Sequence, residues 1–149
     1  MVEVDLEGMR ELRESLLQAV DRYPDMAQAA LEQEGKDFKS DVLAETRSAV
    51  FRRTGNLARG YKLDKVEGYG SDMHINFRAT APHFHLIENG HRKVSPKTRR
   101  GKKLKNGGRD LGGFVPGFLI LSSVRARYDV KMPKDIMEKF NSFLRENGL

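Results

Sequence analysis

Apolar side chains recur at helical spacing through the first fifty residues. Leu6, Met9, Leu12, Leu16 and Val20, with charges between them, trace one stripe of an amphipathic helix. Pro24 ends that helix or begins the next. A second stripe, Ala27, Leu31, Phe38 and Val42, runs between Met26 and about Ala49, so two helices in tandem are expected. Gly35 lies in line with this stripe, where a neighbouring element can approach closely. The small residues Ala27, Ala29, Ala30 and Gly35 suit packing against another chain as well as against its own.

The period changes after Arg52 to Tyr61, which reads as a hinge. Thr54 can cap a helix start, Gly55 allows a tight bend, and Leu57 and Tyr61 fall on one face of a helical turn. Tyr61 to Glu67 is a strand, and Gly68, Gly70 and Ser71 supply a turn. Asp72 to Ala79 is a second strand, because Met73, Ile75, Phe77 and Ala79 alternate with Asp72, His74, Asn76 and Arg78. The two form a hairpin with one apolar face. Thr80 offers a cap, Pro82 suits a first helical turn and Asn89-Gly90 a left-handed stop, which predicts a short helix over His83 to Glu88. Phe114 to Leu121 is expected to enter the core, while Ser123 to Val130 fits helix and strand equally. Pro133 opens a final helix striped by Ile136, Met137, Phe140, Phe143 and Leu144.

A length of 149 residues favours a single domain, 1–149, helical over 5–50 and sheet-containing over 51–149. The fold class expected is α+β: N-terminal helices and a C-terminal helix packed on a small antiparallel β-sheet, with a long flexible basic loop. The longest apolar run is too short to span a bilayer, and the acidic N-terminus lacks the pattern of a signal peptide, so a soluble protein without membrane contact is expected. The absence of cysteine excludes disulfides, thiolate nucleophiles and cysteine-ligated zinc.

The net charge of +6 is unevenly placed. Arg92, Lys93, Lys97, Arg99, Arg100, Lys102, Lys103, Lys105 and Arg109 face only Asp110 across the insertion 91–113, a local +8 that leaves the remaining chain at −2. Poor in apolar residues, with Pro96 and five glycines, this insertion is not expected to order itself. It can be a solvated insertion, a phosphate binder without sequence readout, or an arm that docks on an acidic protein. The lack of interleaved aromatics argues against base stacking.

His83, His85, Glu88 and His91 are the one cluster resembling a metal site. Their spacing is not HExxH, and two of the imidazoles diverge on a helix, so exposed polar residues are the expected outcome. No nucleotide-binding loop or nucleophile elbow is present, and no catalytic residue or cofactor is assigned.

Three motifs in order carry a resemblance. They are Thr54-Gly55-Asn56-Leu57-Ala58-Arg59 with Tyr61, then Ala81-Pro82 leading through Ile87-Glu88-Asn89-Gly90-His91-Arg92, and then Val115-Pro116-Gly117-Phe118. The chain resembles the phage HK97 gp10-like family of tail-component and neck proteins from about residue 5. His83-Phe84-His85 departs from the family's Tyr-Ala after Ala-Pro, and the basic insertion looks like an enlarged variable region. The resemblance implies structural roles for Thr54, Gly55, Asn56, Leu57, Ala81, Pro82, Glu88, Gly90, Pro116 and Gly117, and favours helix over Gly117 to Arg127. It also implies a non-enzymatic virion protein, made in the bacterial cytoplasm, that forms a homo-oligomeric ring, preferably a hexamer, at the head-tail interface. Its partners would be the head connector or stopper and the tail terminator or tube proteins, with the basic residues as a docking loop and DNA in the channel as a possible contact. A nucleic-acid-binding protein acting through residues 91–113 is the alternative.

Overall fold

The computed structural model describes residues 6–50, 55–99, 102, 103, 105 and 107–149. The elements in order are α1 (Leu6–Ala49), α2 (Asn56–Arg59), β1 (Tyr61–Leu63), β2 (Phe77–Ala79), α3 (Phe84–Asn89), β3 (Gly90–Val94), β4 (Thr98–Arg99), β5 (Lys102–Lys103), β6 (Asp110–Pro116) and α4 (Ile120–Glu146). The α+β class is as expected. The strands pair as three separate antiparallel two-stranded ribbons, β1 with β2, β3 with β6 and β4 with β5.

Neither proline divides a helix. Pro24 lies inside α1, a single helix of 44 residues, and Pro133 lies inside α4, which starts at Ile120. A proline deprives the carbonyl four residues earlier of its donor. Here those carbonyls belong to Val20 and Asp129, both at exposed positions where water can bond them. Packing on either side of each proline holds the helix together. Around Pro24, Ala19 and Ala30 are buried and Tyr23 meets Phe140 edge to face at 5.9 Å.

α1 and α4 run antiparallel, as their side-chain pairs show. Tyr23 meets Phe140, Lys139 donates to Glu34 at 2.6 Å, Tyr128 donates to Asp41 at 3.1 Å and Arg127 to Glu45 at 2.9 Å. The hairpin β1–β2 lies against this pair, in the register Tyr61 with Ala79 and Leu63 with Phe77. A Cβ on Gly35 would come within 2.7 Å of Ile75 and 3.2 Å of Leu63, so the glycine predicted to admit a neighbour does admit the hairpin. The core is Val42, Tyr61, Ile120, Val124 and Tyr128, with Phe38, Phe77 and Phe84 packed against it. Phe38 makes T-shaped contacts with both Phe77 and Tyr128, at 5.2 and 5.1 Å, a geometry worth roughly 0.5–1.5 kcal/mol beyond its burial.

Two expectations about the apolar pattern are corrected. The stripe Met9, Leu12, Leu16 and Val20 is not covered; Met9 is 59% exposed and Val20 71%. α4 ends beside Ser15, 3.7 Å from where a side chain on Gly148 would begin, so Met9 and Leu12 lie on turns of α1 that run on past it, while Leu16 and Val20 stand to the side of the buried Ala19. Likewise Phe114, Phe118 and Leu119 remain more than half exposed, and the chain enters the core only at Ile120. Phe114 stands on β6, whose ribbon with β3 has no further strand beside it among the described residues, and Phe118 and Leu119 follow the end of that strand.

Two core tyrosines bond to α1, Tyr61 from β1 and Tyr128 from α4. Thr46 Oγ1 donates to the Val42 carbonyl at 2.7 Å, which leaves it to accept the Tyr61 hydroxyl at 2.9 Å. Burial pushes the Tyr61 phenol above its usual pKa, and burial together with the Asp41 carboxylate pushes Tyr128 up to about 12. A phenol whose pKa is raised by folding contributes stability below pH 10, and that contribution is lost as pH rises through 12. Urea-unfolding midpoints are therefore expected to fall between pH 10 and 12, and Tyr128→Phe should flatten the fall. An equally steep fall in that variant would place the effect elsewhere.

Candidate functional site

The short motifs of the sequence converge on the region where α2, α3 and the start of α4 meet. Gly60, just after α2, lies so close to Ala81 that a Cβ would sit 2.7 Å from the Ala81 nitrogen. Thr80 donates to the Gly60 carbonyl through both its N–H and its hydroxyl, at 2.8 and 2.9 Å. The expected role of Thr80 as a helix cap is therefore replaced by a bond across the hairpin base; His83 is the residue at the start of α3. Gly55 has φ +74 and turns the chain into α2, while Asn56 and Leu57 form its first turn. Thr54 lies outside the described residues.

Glu88 is the centre of the second junction. It is 6% exposed, and its carboxylate accepts from the N–H groups of Leu121 and Ser122 at 3.0 and 2.9 Å and from the Ser122 hydroxyl at 3.0 Å. These are the first residues of α4, so a side chain 33 positions upstream satisfies the orphan donors of that helix and faces the positive end of its dipole. No local side chain does so, because the residue at the cap position is Leu119, held at φ +51. That left-handed conformation costs a non-glycine residue about 1 kcal/mol or more. It is fixed by the Leu119 N–H donating to the Glu88 carbonyl at 3.2 Å and by Phe118 donating to Ile87 at 2.8 Å.

The glycines here are tied to close backbone contact. A Cβ on Gly117 would fall 2.1 Å from the Glu88 carbonyl oxygen, and one on Gly90 2.4 Å from that of Val115. Gly90 has φ +82 and ψ 178, so it is not the left-handed helix stop expected of it; it turns the chain directly into β3. Pro116 ends β6 opposite it.

The histidines do not join this site. His83, His85 and His91 are exposed, and both Glu88 oxygens are occupied by α4. Among the described residues no group of three or more histidine, aspartate or glutamate side chains is placed to hold a metal ion. Likewise no described helix is long and apolar enough to cross a membrane.

The basic segment forms an arm with local pairing. β3 and β6 pair from Gly90 with Pro116 to Val94 with Asp110, with a shift in register between Arg92 and Val94. Ser95 continues the ladder with Arg109 and Gly108, and β4 with β5 lies beyond. The sequence pattern does not announce this strand pairing, because the segment holds few apolar side chains. Arg92, Lys93, Lys97, Lys102, Lys105 and Arg109 are all exposed, and Arg92 lies 3.6 Å from Asp110. Arg99 and Lys103 are described in their backbone alone, and Arg100 lies outside the described residues.

The geometry therefore comprises a buried junction that fixes the fold and, apart from it, an exposed basic arm and an exposed apolar helix end. The sequence profile of the HK97-gp10-like family, described as "Bacteriophage HK97-gp10, putative tail-component", matches residues 10–90, more than half of the chain, and the chain belongs to this family. It is accordingly a structural phage protein of the tail and a component of the virion. No curated protein and no solved structure matches it significantly. The matched span holds Gly55, Asn56, Leu57, Ala81, Pro82, Glu88 and Gly90, whereas Pro116 and Gly117 lie beyond it.

Proposed function

We propose that this chain is a non-enzymatic subunit of a ring, preferably of six copies, that closes the head-proximal end of the tail and joins tail tube to head connector. The observation that carries this reading is the basic arm. Exposed cations stand on a two-stranded ribbon apart from a body whose own charge is close to balanced. An acidic face on a connector, stopper, terminator or tube protein could take the arm through several coupled ion pairs, which steer association and fix orientation. Family membership supports the tail context, and residues 91–113 are then the docking loop.

Exposed ion pairs are worth only about 0–1 kcal/mol each, so reversing one lysine should change little. Arg99, Arg100, Lys102 and Lys103 replaced together by Glu should block head-tail joining while the purified chain unfolds as before. DNA is the competing partner for the same cations. If the quadruple variant joins heads to tails normally and loses only a salt-sensitive affinity for DNA, the phosphate reading replaces the docking one.

A further inference from the structure

The uncovered start of α1 and an apolar groove at the opposite end of the same helix are two faces in search of partners. α4 packs along α1 from Val42 back to Ser15, and the exposed stripe of Val20, Leu16, Leu12 and Met9 starts beside the buried Ala19 and runs on beyond the end of α4. At about 1.5 Å per residue, the 44 residues of α1 span roughly 66 Å, against about 40 Å for the 27 of α4. At the far end, Leu43, Val50, Leu57, Ala81, Pro82 and Ile87 line a cavity of about 540 Å³ open to solvent.

We infer that the start of α1 from one copy seats in this groove of the next copy. The inference deepens the ring reading and rests on it. Two observations select this occupant. The stripe adjoins the buried seam at Ala19 and repeats at helical spacing, which suits insertion between helical elements. The charges are complementary: residues 1–14 hold five acids against Arg10 and Arg13, while Arg47 and Arg59 border the groove. Because the two patches lie at opposite ends of one rigid helix, a copy cannot satisfy its own groove. The contact is therefore heterologous, the kind that generates rings when its rotation closes.

The chain has no cysteine, so single cysteines report one contact each. Leu16→Cys and Ala58→Cys proteins are to be made separately, concentrated, and treated with a short bismaleimide alone and as a mixture. The inference expects a cross-linked dimer in the mixture and at least tenfold less in either protein alone. It also expects Leu12→Asp with Leu16→Asp to weaken self-association at least tenfold while leaving the monomer's thermal transition in place, since both side chains are exposed. Abundant cross-linking of Leu16→Cys alone would overturn it in favour of helix-to-helix pairing. Discrete oligomers that form without the mixed cross-link would overturn this contact and leave the ring standing. A chain that stays monomeric in every sample would overturn both.

Discussion

Glu88→Ala is expected to lower the free energy of unfolding by about 3 kcal/mol. The substitution removes the acceptor for two N–H groups and a hydroxyl at the start of α4, and nothing local replaces it because Leu119 occupies the cap position. A partly buried donor left unsatisfied costs roughly 1–3 kcal/mol, and loss of an anion at a helix N-terminus adds up to about 2 kcal/mol. Glu88→Gln keeps one carbonyl acceptor and should lose about half as much. Urea midpoints at constant slope measure the difference. A Glu88→Ala protein within about 0.5 kcal/mol of the parent would show that the cap is not what holds α4 to α3.

A larger effect is expected at Gly117, where Ala should cost more than about 3 kcal/mol or prevent folding. The added Cβ would meet the Glu88 oxygen at 2.1 Å and the carbonyl carbon of Asn89 at 2.6 Å, and both are backbone, so no side chain can swing aside. Relief requires parting β6 from the end of α3, which also withdraws the two bonds that hold Phe118 and Leu119. Gly70→Ala is the control. Gly70 has φ +59 but open space around it, so only the conformational cost of about 1 kcal/mol applies. Similar thermal shifts for the two variants would contradict the steric account. Combined with Glu88→Ala, Gly117→Ala should be far from additive, since both act on one junction.

What could be read from the sequence follows the range over which each feature is determined. The hairpin of β1 and β2 and the close approach at Gly35 are local or one-element patterns, and both were legible. Glu88 was visible as a motif residue but not as a cap, because its partners lie 33 positions away and Leu121 and Ser122 carry no mark of needing an acceptor. Pro24 and Pro133 misled because helix-breaking was weighed without the tertiary packing that bridges them. The stripe from Met9 to Val20 was correctly apolar, yet periodicity shows that a face seeks burial and not what buries it. The pairing of β3 with β6 from Gly90 and Pro116 outward was not legible, because it is made by backbone groups across a segment with little apolar pattern to announce a strand.

The central claim is that this family member acts as a closed ring. Native mass spectrometry of the concentrated full chain, with electron microscopy of the same sample, tests it most directly. The account predicts one discrete cyclic species, six copies by preference, with the basic arms on one face. A stable monomer both alone and in tails that carry it would contradict the account.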